Sequence, residues 1–173
     1  VFLAVLAAAG LSRIETDTFS IAYLPEDHAT RLDSDFIEAR IGSYAPIDYI
    51  IHSDNVLTSE VLESLRDLQP AVGEIPSIDC SWAGLDAVGI EKNTLSAAIQ
   101  PERIRAELIR LRLLAPDVAE SMVVGQSDLR VTFAAPMMSA RSVQALMIEI
   151  EARANFPTHV SLHAAGYASL YTR

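Results

Sequence analysis

Four histidines, one cysteine and 23 carboxylates are the residues of this 173-residue chain whose types could do chemistry. A metal site would need several of them at ligand spacing. His159 and His163 are four apart in a segment that alternates like a strand. They share a face there but stand about 13 Å apart along it, too far for one ion. His28 and His52 have no ligand-like neighbour in sequence, so no metal site is expected. Nucleophilic chemistry fares no better. There is no Gly-x-Ser-x-Gly turn, and Gly84 and Gly89 flank no serine. Cys80 beside a distant histidine is an arrangement that any chain with one cysteine and four histidines offers; as a residue type it reads as a small buried hydrophobe. A lone cysteine makes neither an internal disulfide nor a cysteine-based zinc site. Glu26 with Asp27, Asp33 with Asp35, and Asp48 could in principle move protons. In so acidic a chain such carboxylates read mostly as a solvated face. Glycine is scarce and no Gly-Lys-Ser/Thr phosphate loop is present. The expectation is a chain with no catalytic residue, no cofactor and no metal.

The formal net charge of -10 argues against a nucleic-acid partner, since phosphate backbones are repelled. It argues equally against adhesion to an anionic membrane surface, which takes a polybasic patch. Half of the residues are hydrophobic, enough for a sizeable core in one domain or two small ones.

The elements that would position these residues fall into two similar units. Residues 46–82 read as strand-helix-strand. Ile47, Tyr49 and Ile51 alternate with Pro46, Asp48 and His52; Thr58 or Ser59 caps a helix over 58–70 that carries Val61, Leu62, Leu65 and Leu68 on one face; a second strand over 75–82 sets Ile78, Cys80 and Trp82 on one side. Residues 128–165 repeat the pattern. Leu129, Val131 and Phe133 alternate with polar neighbours, Ser139 caps a helix over 139–154 with Val143, Leu146, Met147, Ile150 and Ala154, and Val160, Leu162 and Ala164 close it. Strict alternation predicts a sheet with one packed and one wetter face, unlike the continuously apolar strands of a doubly wound sheet. The fold class is therefore α+β, with ferredoxin-like split strand-helix-strand units and both helices on one face. The insert at 83–127 joins the halves, with a helix beginning at Pro101, striped by Ile104, Leu108 and Leu111 and stopped by Pro116. Ahead of the first unit, a loop over 18–30 leads to a helix over 31–41 with Phe36, Ile37 and Ile41 on one side and Gly42 as its cap.

The first segment stands apart. Val1 to Leu11 is uncharged and almost wholly apolar, too short to span a bilayer and without the basic flank of a signal peptide. It reads either as a core helix or as the outer end of a severed transmembrane helix. After it come Ser12-Arg13-Ile14-Glu15-Thr16-Asp17, then Tyr23-Leu24-Pro25-Glu26-Asp27-His28, Phe36-Ile37-Glu38 and Pro46-Ile47-Asp48-Tyr49. Near the other end, Phe156-Pro157-Thr158-His159-Val160 runs into Gly166-Tyr167-Ala168-Ser169-Leu170-Tyr171. In that order, these segments resemble an extracytoplasmic loop of exporters of the resistance-nodulation-division (RND) superfamily, in particular the MMPL-like group.

The resemblance implies a periplasmic porter-like domain of a proton-driven exporter, with residues 1–12 as a transmembrane-helix end and 13–173 as the domain. The wording of the motifs leans toward the second of the family's two loops. It also implies a place on the extracytoplasmic face of a bacterial inner membrane and a role in the pathway of a lipid or other hydrophobic compound. The implied partners are the transmembrane helices and the other loop of the same polypeptide, with a homo-oligomer left open. The proton-relay acids of that family lie in its membrane helices, so no catalytic residue carries over and the substrate-binding residues are unknown. On this reading both ends of the domain leave from the same side. The alternatives are a protein-export accessory-type domain, a cytosolic regulatory domain that binds a small molecule, and an enzyme built on Cys80.

Overall fold

The computed structural model describes residues 20–76, 78, 80–83, 101–167 and 169. The apolar segment Val1 to Leu11, the polar stretch 12–19, Gly84, Gly89 and the last four residues lie outside it, and with them the expectations placed there.

The fold is α+β, an antiparallel sheet with five helices among the described residues. A 3-10 turn at Ser20–Tyr23 leads to α1 (Ala29–Ile41). The first unit is β1 (Ala45–His52), α2 (Ser59–Gly73) and β2 (Cys80–Ala83). Then come α3 (Pro101–Leu114), α4 (Pro116–Met122) and the two-residue β3 (Val123–Val124). The second unit is β4 (Asp128–Ala135), α5 (Ala140–Arg153) and β5 (Ser161–Ala165).

The strand order is β2-β4-β1-β5, with every neighbouring pair antiparallel. β1 and β2 therefore run parallel with β4 between them, and β4 and β5 run parallel with β1 between them, so the two units interleave. β3 lines up beyond β2 along the same edge of β4, pairing Val123 with Leu129 and Val124 with Asp128.

Period-2 alternation decides the faces. Ile47, Tyr49 and Ile51 of β1 lie opposite Phe133, Val131 and Leu129 of β4, and all six are buried. Helices α2 and α5 close over this face, α2 through Val61, Leu62, Leu65, Leu68 and Val72, α5 through Leu146, Met147 and Ile150. Inside the core the Tyr49 and Phe133 rings meet edge to face at 6.1 Å. The buried Tyr49 hydroxyl donates to the Met147 carbonyl at 3.2 Å, tying β1 to α5. Burial first, and then the charge of Glu151, push this phenol well above its ordinary value, so it stays a neutral donor.

Both expected caps are in place. The Thr58 hydroxyl accepts from the Val61 N–H and the Ser139 hydroxyl from the Ser142 N–H. Gly42 closes α1, its N–H donating to the Glu38 carbonyl. Several expectations need correction. β2 begins at Cys80, not near 75; Ile75 and Ile78 are buried, but in turns that precede the strand. The α2 helix continues through Pro70 to Gly73, although the proline has no N–H to give the Arg66 carbonyl. Pro116 does not merely stop α3. After a break at Ala115 it opens α4 at a position where a missing N–H costs nothing. In α1 the grouping of Phe36, Ile37 and Ile41 is not a packing face: Phe36 and Ile41 are exposed, and Ser34 is the buried residue. Val160 and Leu162, the apolar phase expected of the closing strand, are only partly buried: β5 is an edge strand, and it begins at Ser161, after Val160.

Candidate functional site

The face of the sheet turned away from α2 and α5 carries the densest polar structure of the described residues. It is built by the polar phase of the strands whose apolar phase makes the core. Register places Asp48 opposite Thr132 on β4 and opposite Ala165 on β5. One step along, Ile50 lies opposite Arg130 and His163, and His52 opposite Asp128 and Ser161.

Asp48 is the centre of this face and only 7% exposed. Arg130 grips its carboxylate with two bonds, Nε at 3.1 Å and a terminal nitrogen at 2.8 Å, and the Thr132 hydroxyl donates a third at 2.6 Å. The two-pronged guanidinium geometry is the strongest form of such a pair. The turn after β5 closes over the carboxylate: a Cβ on Gly166 would lie 2.7 Å from Asp48 Oδ2. Asp48 was expected on a solvated face; it is instead buried with partners 82 and 84 residues away.

Gly166 is also held at φ +65°, which side chains tolerate poorly. Gly125 has the same φ but open space around it. Gly125→Ala should therefore cost about 1 kcal/mol and Gly166→Ala roughly 2 kcal/mol or more. Urea midpoints of the two variants check this, and equal losses would mean that the turn does not press on Asp48.

The second polar pair on this face is exposed. His52 Nδ1 and Asp128 Oδ1 are 2.7 Å apart, and the Ser127 hydroxyl donates to the other oxygen of Asp128 at 3.0 Å. The His52 bond, seconded by Ser127, holds the Asp128 carboxyl below its ordinary 3.8. A depressed carboxyl stabilises the fold above its unfolded value, and this contribution disappears as pH falls through the folded value. By NMR titration, Asp128 should ionise below 3.8, and His52→Ala should move it upward. An unchanged value in His52→Ala would show that the pair does not persist in solution.

The remaining candidates are scattered. The His28 ring caps α1 by accepting from the Thr30 N–H at 3.2 Å. His159 precedes β5 in a turn, with Nε2 3.9 Å from a Glu60 carboxylate oxygen. His163 is exposed on β5. Cys80 enters β2 opposite Ala134. Glu26, Asp27, Asp33 and Asp35 are exposed. Among the described residues, no three His, Cys, Asp or Glu side chains converge to hold a metal.

A groove of about 410 Å³ lies between α2 and the segment after α5. Glu60, Glu63 and Asp67 line one wall, and Arg153, Phe156 and Pro157 the other. Arg153 is already paired with Glu149 at 2.9 Å. The groove is thus electronegative, and the one hydroxyl in its lining, Ser64, donates to the backbone carbonyl of Glu60 at 2.9 Å. Neither a protein-family model nor a curated protein matches this chain. No helix among the described residues is long and apolar enough to cross a membrane.

What sequence reading missed is the Asp48–Arg130–Thr132 cluster. Its one sequence signal is an acid and a base, each in the polar phase of an amphipathic strand. That signal becomes a contact only once the register is known.

Proposed function

We propose that this chain is an extracytoplasmic porter-type domain of a proton-driven exporter of the RND superfamily, in its MMPL-like group, and that its sheet is a ferredoxin-like split sheet. The observation that supports this best is the strand order β2-β4-β1-β5, in which two strand-helix-strand units interleave and the segment between them forms a helical insert. The order of the motifs from Ile14-Glu15-Thr16-Asp17 to Gly166-Tyr167 supports the family.

On this reading the domain is not an enzyme. It forms one wall of a cleft for a lipid or other hydrophobic compound, and the opposite wall is the other loop of the same polypeptide. Such a cleft opens and closes by rigid-body movement, which suits a sheet held as one piece by the half-buried Asp48–Arg130 pair. Contacts to a hydrophobic cargo in such a cleft are diffuse and apolar.

Protease added to spheroplasts of the native host tests the reading on the natural gene product. An antibody to this domain should reveal cleavage without lysis. Protection until the membrane is broken would overturn it and leave the cytosolic regulatory domain as the better account.

A further inference from the structure

His28 holds the N-terminal end of α1 with two acceptors. Its ring Nδ1 takes the Thr30 N–H at 3.2 Å, and its carbonyl takes the Arg31 and Leu32 N–H groups at 2.9 and 3.1 Å. Three consecutive amides of the first turn thus end on one residue. The usual cap is the side-chain oxygen of Ser, Thr, Asp or Asn. Helices α2 and α5 follow that habit with Thr58 and Ser139, whose hydroxyls accept throughout the neutral range. An imidazole nitrogen accepts only while it carries no proton.

Protonation therefore removes this cap. In imidazolium both ring nitrogens are donors, so no rotation of the ring restores an acceptor for Thr30. The added charge also sits at the positive end of the helix dipole, where a cation is unfavourable. Two other histidines respond with the opposite sign. His52 Nδ1 stands 2.7 Å from Asp128 Oδ1 and His159 Nε2 3.9 Å from Glu60 Oε2, so a proton on either ring adds attraction to a carboxylate.

We propose that His28 is a pH-sensitive cap, which holds the first turn of α1 when neutral and releases it when protonated. Histidine is the side chain whose charge ordinarily changes between pH 5 and 8, and that sets the window. The stabilisation is present at the upper end of the window and is lost as pH falls, because the capped state excludes the proton. Few charged or titratable groups of the described residues surround the ring. Its own loop supplies Glu26 and Asp27, both exposed. On α1 there is Arg31, whose guanidinium donates to the Leu24 carbonyl at 3.1 Å. The 3-10 turn packed against α1 supplies Tyr23. The two carboxylates temper the added charge, but neither holds the Thr30 N–H. Beyond its first turn α1 is fastened by bonds without a histidine, Ser34 to Tyr44 at 2.7 Å and the Met137 N–H to Glu38 at 2.6 Å, so the release stays local. The device does not depend on the exporter reading.

An NMR titration of the full 173-residue chain from pH 8 to pH 5 tests it. The Cα carbon shifts of Ala29 to Leu32 report how much of the first turn is open. That open fraction should rise by roughly fivefold, the size of one side-chain cap, and in step with the ring protons of His28. In His28→Asn, whose side-chain oxygen caps at every pH of the series, it should stay low and level. In His28→Ala it should be raised and level. Residues 59–62, at the start of α2, should keep their helical shifts throughout. An open fraction in the unaltered chain that ignores pH overturns the proposal. So does a rise that persists in His28→Asn, which would assign the response to another group. A rise shared by α2 also overturns it, since acid would then be loosening the whole fold.

Discussion

Phe133→Ala should destabilise the fold by about 3–5 kcal/mol, the largest single effect expected in this chain. Phe133 is fully buried toward the end of β4, with β1 and β2 on either side, and its ring packs edge-on against Tyr49. Truncation removes the ring's transfer energy and leaves a cavity that the flanking strands and two helices cannot close. In a chain of this length each kcal/mol moves the midpoint by about 2–4 °C, so thermal unfolding should fall by roughly 6–20 °C. Phe133→Leu keeps most of the volume and should cost under about 2 kcal/mol. A loss below about 1 kcal/mol in Phe133→Ala would mean that α2 and α5 do not cover this face.

Asp48→Ala should cost about 2–3 kcal/mol. The figure sits below the range for a wholly buried ion pair because the Arg130 side chain is 42% exposed, and water takes up part of what the guanidinium loses. Arg130→Ala should cost a similar amount by the opposite route, since it leaves the Asp48 carboxylate under the Gly166 turn with the Thr132 hydroxyl as its remaining partner. The double variant should cost clearly less than the sum of the two. A coupling of at least about 1 kcal/mol in that cycle, measured by urea unfolding, is the expected result. Additive losses would show that the pair contributes nothing as a pair. Asp48→Asn keeps an acceptor for Thr132 and Arg130 and should fall between Asp48→Ala and the unaltered chain.

The two effects differ in how far they could be foreseen. Phe133 belongs to the run Leu129-Arg130-Val131-Thr132-Phe133, whose period of two marks it as core before any partner is known. The same holds for Leu62, Leu65 and Leu68 on α2 and Leu146 and Ile150 on α5, where the period is 3.6. Thr58, Ser139 and Gly42 announce their helix ends, because a cap is a contact between residues two to four apart. These are local rules, and the amino-acid sequence by itself determined β1, β4, α2 and α5 with their buried faces, and the α+β class.

Tertiary structure alone decided the rest, for the reason that it depends on pairs distant in sequence. Nothing in residues 45–52 says that β1 lies between β4 and β5. That order sets Arg130 and Thr132 against Asp48, and it converts a carboxylate of ordinary surface type into a buried one. Ile78 looked like a strand residue by spacing; continued backwards, the β2 register would set it opposite Pro136, past the end of β4 at Ala135, so it is buried in a turn instead. Phe36 and Ile41 looked like a core face, yet the core is filled by α2, α3 and α5, and α1 is tied down instead by polar bonds, Ser34 to Tyr44 at 2.7 Å and Glu38 to the Met137 N–H at 2.6 Å. Periodicity reports that a helix has an apolar side; only the competition of all elements for one core decides which of those sides is covered and which faces water.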